Sequence, residues 1–218
     1  VERQTIGNAA KIVSTDAGPD LTIEETKIIN SLENLDRTNS DIDVTDTASA
    51  IISGGDTVLN LDGIDVVTVT GGPVNASDGA VLNAFTADVE FDVQSNASEV
   101  AAEVFGGGKS GNELDEANSV VVVSGGTDIS VSQADAIQAI TGYAGTLSEY
   151  DITDTAAAII SGGDDVLNVS GVDDVNVTGG PVSASDGAII NAFTADVEFD
   201  VEATASQLAA EVAAIGKT

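Results

Sequence analysis

Short runs that alternate apolar and acidic residues recur along this chain. Ile42 and Val44 flank Asp43, and Tyr150 and Ile152 flank Asp151. Val89, Phe91 and Val93 enclose Glu90 and Asp92, as Val197, Phe199 and Val201 enclose Glu198 and Asp200. Strict alternation predicts strands with one buried and one wet face. Val-rich runs around residues 12–13, 67–69, 120–123 and 175–177 predict a second set of strands.

Helical spacing appears between them, in Ile28, Ile29, Leu32; Val81, Leu82, Phe85; Ala136, Ile137, Ile140; and Ile189, Ile190, Phe193. Each of these helices has an N-cap candidate: Thr22, Asn75, Ser130 and Ser183. Glu25, Asp78, Gln133 and Asp186 stand three residues later, which is the capping-box spacing or its shorter Asp analogue. A second set of short helices is predicted after Thr47, Asn96, Thr155 and Thr204, with Glu99 and Gln207 completing boxes. Ile51, Val100, Ile159 and Leu208 are expected on their inner side.

The pattern is duplicated. Residues 44–104 return as residues 152–212 at a constant offset, with about three-quarters of the positions identical. A fixed period governs the fold assignment. Each half divides into two strand–helix–strand–helix sub-repeats. Residues 1–104 form a first double repeat with a diverged start, 105–118 a loop-rich junction and 119–218 a second double repeat. Residues 1–10 read as a frayed start.

Strands joined by helices through short turns imply parallel pairing with right-handed crossovers. The expected class is α/β: a solenoid of strand–helix units in one continuous array, with a parallel sheet on one face and short helices on the other. Two compact α/β domains are the runner-up. In one alternating sheet Asp43, Asp92, Asp151 and Asp200 would form an outward row, diluted by Thr68 and Asn176 on the intervening strands.

Composition narrows the chemistry. The 218 residues are 42% hydrophobic but only 3% aromatic, so small aliphatic side chains must pack the core. Cys and His are absent, which removes disulfides, thiolate nucleophiles and the commonest acid–base and transition-metal ligand. The net charge is −31 with six basic residues, a balance that repels phosphate backbones and argues against nucleic acid. No apolar run approaches the roughly 20 residues that span a bilayer, so no membrane insertion is expected. The start at Val1 and the lack of a signal-like segment read as a piece of something longer.

Such acidity attracts hard cations. Two aspartate-rich turns are the metal candidates: Asp56, Asn60, Asp62 and Asp65 around Gly63, and Asp164, Asp165, Asn168, Asp173 and Asp174 around Gly171. Their all-oxygen donors suit Ca²⁺, although neither spacing is an EF-hand loop. The plainer alternative is a solvated turn that uses Asp and Asn for local hydrogen bonds. Asp46 and Asp154 precede helices and read as structural. Ser77 and Ser185 lack a neighbouring base, so they read as first-turn residues rather than nucleophiles. The Gly-Lys-Ser stretch at 106–110 lacks the leading glycine and the flanking strand and helix of a phosphate loop. No enzyme activity is expected.

The segments VTDTASAI (44–51), ITDTAAAI (152–159), VSQADAIQAITGYAG (131–145) and NAFTADVEFDV (83–93, 191–201) carry a resemblance. They look like the tandem repeats of giant bacterial, especially cyanobacterial, cell-surface or secreted adhesin-like calcium-binding proteins. The resemblance implies an extracellular structural or adhesive segment: a spacer, filament or surface-layer-like array that Ca²⁺ stiffens. Its partners would be neighbouring repeats or copies of itself. The alternatives are a subunit of a self-assembling filament and a module that binds a surface glycan or protein through its acidic sheet face.

Overall fold

The computed structural model describes residues 11–13, 20–106 and 108–214. The expected frayed start at 1–10 lies outside them. The chain is α/β with parallel sheets. It divides into two compact units, one of residues 1–94 with 113–120, the other of residues 95–112 with 121–218.

In the first unit, α1 (Ile23–Asn30) leads through a 3₁₀ turn (Arg37–Asn39) to β1 (Ile42–Thr47). Two short helices follow, α2 (Ala48–Gly54) and α3 (Asp56–Leu59), then β2 (Ile64–Thr70), α4 (Ala76–Asn83), β3 (Val89–Glu90) and β4 (Asp92–Asn96), which ends across the unit boundary. The sheet order is β1-β2-β3, all parallel. Second-type and first-type strands alternate within this three-stranded sheet; the described strands fall into separate sheets rather than the single array expected from the sequence.

The second unit takes in α5 (Ala97–Val104), most of β5 (Ser119–Val123), α6 (Val131–Gln138), a 3₁₀ turn (Gly145–Leu147) and β6 (Tyr150–Thr155). It continues with α7 (Ala156–Leu167), β7 (Val172–Thr178), α8 (Ala184–Ile190), β8 (Val197–Glu198) and α9 (Ala205–Ala214). Its sheet is β6-β7-β8, again parallel. The α2–α3 break recurs inside α7, where Gly163 takes φ 58°, matching Gly55 at 61°. Those left-handed angles favour glycine and let the chain turn without ending the helical path.

All eight N-caps form. Thr22, Asn75, Ser130 and Ser183 accept from the third residue of α1, α4, α6 and α8. Thr47, Asn96, Thr155 and Thr204 do so for α2, α5, α7 and α9. Reciprocal boxes close at Glu25, Gln133 and Gln207. Asp78 and Asp186 are one methylene too short and bond the cap side chain instead, at 2.9 Å each. Glu99 departs from expectation: its carboxylate takes the Ser95 hydroxyl at 2.7 Å.

The core face of each first-type helix is set by its first, fourth and seventh residues, or the first two of these in α1: Ile23, Thr26; Ala76, Gly79, Leu82; Val131, Ala134, Ile137; Ala184, Gly187, Ile190. Ile28, Val81 and Ile189, expected inside, are more than two-fifths exposed. Ile51, Val100 and Ile159 are fully buried as expected, whereas Leu208 is 44% exposed. No described helix is long and apolar enough to cross a membrane.

Candidate metal centre

Register creates the most concentrated chemistry. Ile42 pairs with Ile64 and Val44 with Val67, so one residue on β1 faces two on β2. Asp43 therefore stands opposite Asp65 and Val66. The second sheet repeats the bulge, with Tyr150 on Val172 and Ile152 on Val175, which sets Asp151 opposite Asp173 and Asp174. A bulge leaves the extra residue outside the ladder and re-aims its side chain.

Two carboxylate groups result. Asp41, Asp43 and Asp65 each offer an oxygen within 4.8 Å of the others, and so do Asp151, Asp173 and Asp174. Asp43 and Asp151 are half-buried and the rest exposed. The backbone N–H of Asp174 donates to the Asp151 carboxylate at 3.3 Å. Burial nevertheless pushes the Asp151 carboxyl above its ordinary value, and the charges of Asp174, Asp128 and Asp173 push the same way. An oxygen-only donor set of this charge selects hard cations over transition metals.

The structure redistributes the sequence candidates. Asp65, Asp173 and Asp174 enter the clusters. Asp56 and Asp164 do not: they open short helical turns and reach across to the following loop. Asp56 accepts the Thr86 N–H at 3.0 Å, and Asp164 accepts those of Thr194 at 2.8 Å and Ala195 at 3.1 Å. These bonds hold the Asp164 carboxyl below its usual range. Asn60 and Asn168 end helical turns with exposed side chains. Asp62 and Asp165 are exposed and outside both groups.

Sequence reasoning did not include Asp41 among the metal candidates and placed Asp43 and Asp151 only in a carboxylate row. That row is also corrected. Thr68 faces Thr45 and Glu90, and Asn176 faces Thr153 and Glu198. The residues set against Asp43 and Asp151 add charge instead of diluting it. The signal was available in the spacing: two residues separate the apolar anchors Ile64 and Val67, against one between Ile42 and Val44.

The surroundings are equally repetitive. The Thr45 hydroxyl donates to Asp20 at 2.5 Å and that of Thr153 to Asp128 at 2.7 Å. Beside the second cluster an open pocket of about 120 Å³ is lined by Gly125, Gly126, Asp128, Glu149, Asp151 and Asp173, among others. Lys109, in the stretch that faintly resembles a phosphate loop, is ion-paired with Glu103 at 2.8 Å. No protein-family model, curated protein or solved structure matches the chain.

Proposed function

We propose that this chain is a structural repeat segment of an extracellular or cell-surface bacterial protein. Its units would stack as a solenoid that serves as a spacer, filament or adhesive array, with Ca²⁺ bound at the two bulges. The observation that carries this reading is the recurrence of one cross-strand carboxylate pair. Asp43 with Asp65 on one bulge is answered by Asp151 with Asp173 on the other, inside sheets of the same order and register. A solenoid draws its stability from identical units and their neighbours, so copying a unit whole is how such a protein grows.

Three carboxylates supply part of the six to eight oxygens that Ca²⁺ takes, and water would complete the shell. Sites this exposed fit the weak class of extracellular modules, with dissociation constants of about 10⁻⁴–10⁻³ M. The ion would offset the charge concentrated at each bulge and tie neighbouring strands together.

The test is thermal unfolding in millimolar Ca²⁺, in Mg²⁺ at equal ionic strength and in chelator. A Ca²⁺-specific rise in Tm that Asp43→Asn and Asp151→Asn abolish supports the reading, by linkage. Superimposed Ca²⁺ and Mg²⁺ curves sink the ion sites.

The pocket beside Asp151 favours a second reading, a module that binds a glycan or partner protein through a bridging cation. A glycan-array signal lost on Asp128→Asn would distinguish it from a spacer.

A further inference from the structure

Four Asn-x-Ser/Thr triplets stand in the chain: Asn75-Ala76-Ser77, Asn96-Ala97-Ser98, Asn168-Val169-Ser170 and Asn176-Val177-Thr178. That triplet is the acceptor pattern for a sugar on an asparagine amide, and no middle residue is the proline that would block it. The product is bulky and hydrated, so it belongs on a surface loop. The structure separates the four.

Three are committed to regular structure. Asn75 caps α4: it accepts the Asp78 N–H at 2.9 Å and donates its amide to the Asp78 carboxylate at 2.9 Å. Its Ser77 lies in the first helical turn. Asn96 caps α5 and accepts the Glu99 N–H at 3.0 Å and the hydroxyl of its own triplet, from Ser98, at 2.7 Å. Asn176 sits inside β7, paired with Thr153 on one side and Glu198 on the other. A transferase must reach both the amide and the hydroxyl. At these three triplets that means unwinding a helix start or leaving a ladder, which costs more than moving a loop.

Asn168-Val169-Ser170 lies outside regular structure. It fills the connection between α7, which ends at Leu167, and β7, which begins at Val172. Asn168 and Ser170 are exposed, and neither side chain bonds to a described residue. The Tyr143 hydroxyl holds the turn by its backbone alone, donating to the Ser170 carbonyl at 2.9 Å.

The duplicate supplies a control inside the same molecule. Asn60 ends α3 as Asn168 ends α7, at φ/ψ of −91°/51° and −104°/40°. Each donates its N–H to an aspartate carbonyl four residues back, Asp56 and Asp164. Asn60 is exposed as well. Position 62, however, is Asp, so this copy lacks the hydroxyl that Ser170 provides.

We infer that Asn168 is an acceptor for an N-linked glycan. The inference rests on the surface-protein reading, because exported chains meet such transferases. The Asn168 amide nitrogen bonds to the anomeric carbon of a sugar carried as a diphosphate ester. The bond from that carbon to the diphosphate oxygen breaks, the diphosphate leaves with the electron pair, and the amide proton passes to a carboxylate of the transferase. The Ser170 hydroxyl is bound by the transferase and does not react.

The experiment incubates the folded 218-residue chain with transferases that read the three-residue pattern, in two arms. One supplies a nucleoside-diphosphate hexose to a soluble enzyme, the other a polyprenyl-diphosphate oligosaccharide to a detergent-solubilised one. Heat-denatured chain, with every triplet open, certifies each enzyme, and intact mass with peptide mapping reads the sites. The folded chain should gain one glycan, at Asn168, at least tenfold faster than at any other asparagine, and the arm in which it appears identifies the donor. Asn168→Gln and Ser170→Ala should each abolish it, and Asp62→Ser should add a second glycan at Asn60. All three positions are exposed, and unchanged melting curves show that the variants fold. An Asn168 left bare in both arms while the denatured chain is modified overturns the inference. Labelling of Asn75, Asn96 or Asn176 at an equal rate does the same. Both enzymes come from outside, so the result does not depend on where the chain resides. The surface-protein reading fails separately, if antibody labelling of intact producing cells finds the chain only inside.

Discussion

The Asp46 carboxylate accepts the backbone N–H of Ile23 at 3.0 Å, across 23 residues, while its other oxygen takes the N–H of Thr47 at 2.7 Å. Asp154 does the same for Val131 at 3.1 Å and Thr155 at 2.7 Å. One side chain thus closes the end of a strand and satisfies the first donor of the helix before it in sequence. That explains the Asp in each Asp-Thr-Ala triplet without any appeal to catalysis. Asp46→Ala should cost about 1–2 kcal/mol, from a lost cap bond and a lost charge–dipole attraction. The corresponding fall in Tm is about 2–8 °C for a chain of this size. Asp154→Ala should match it. No effect in either would show that water replaces the bond.

Two glycines separate propensity from packing. In a helix interior Gly→Ala gains about 1 kcal/mol by propensity. A Cβ at Gly79 would lie 2.8 Å from Val93 Cγ2 and 3.1 Å from Leu114 Cδ2, both on buried side chains. Overpacking of that kind costs about 1–3 kcal/mol, so Gly79→Ala should destabilise. At Gly187 the same Cβ would lie 2.9 Å from Val201 Cγ2, but Val201 is 44% exposed and free to yield. Gly187→Ala should therefore be neutral or stabilising. Paired denaturant titrations read the difference, and equal effects would contradict the close helix–strand approach at Gly79.

Asp151 should titrate above an ordinary Asp, because it is half-buried among carboxylates. A group whose folded pKa is raised binds more protons folded than unfolded in the window between the two values. Its share of stability is full below the unfolded pKa and is lost as pH rises through the folded one. Mild acidification from neutrality should therefore stabilise the second sheet. Glu25 and Asp164 act oppositely. Backbone N–H donors hold both below their usual values, and their contributions vanish as pH falls through those lowered pKa values. Carboxyl-carbon NMR titration resolves Asp151 directly, and Ca²⁺ should move its midpoint down. A midpoint at the ordinary Asp value in chelator would refute the electrostatic account.

Most of the fold was legible because local chemistry repeats. Eight caps were readable from Ser, Thr and Asn placed before helical spacing, and alternation around Asp43 and Asp151 marked β1 and β6. The metal candidates were legible only by half. Asp56 and Asp164 lie in acidic stretches of sequence, yet their geometry serves Thr86 and Thr194. Asp43 and Asp65 are remote in sequence and meet only because β2 carries one residue more than its partner. Leu208 failed for another reason. Its spacing specifies a buried face, but spacing does not say whether anything arrives to bury it.

The recurring register has a cost in ambiguity. Val44 on Val67 and Ile152 on Val175 are the same pairing written twice, so β2 fits β6 nearly as well as it fits β1. Both pairings would form similar ladders, and the difference between them is mostly loop closure. About 16 residues join β1 to β2 and about 80 separate β2 from β6, a gap worth only about 1.4 kcal/mol in closure entropy. The chain is therefore told apart from its own shuffled versions largely by time: neighbours meet first, and a unit already closed offers its twin no edge. Refolding from denaturant should yield more exchanged product than synthesis from one end, where each unit closes before its copy exists.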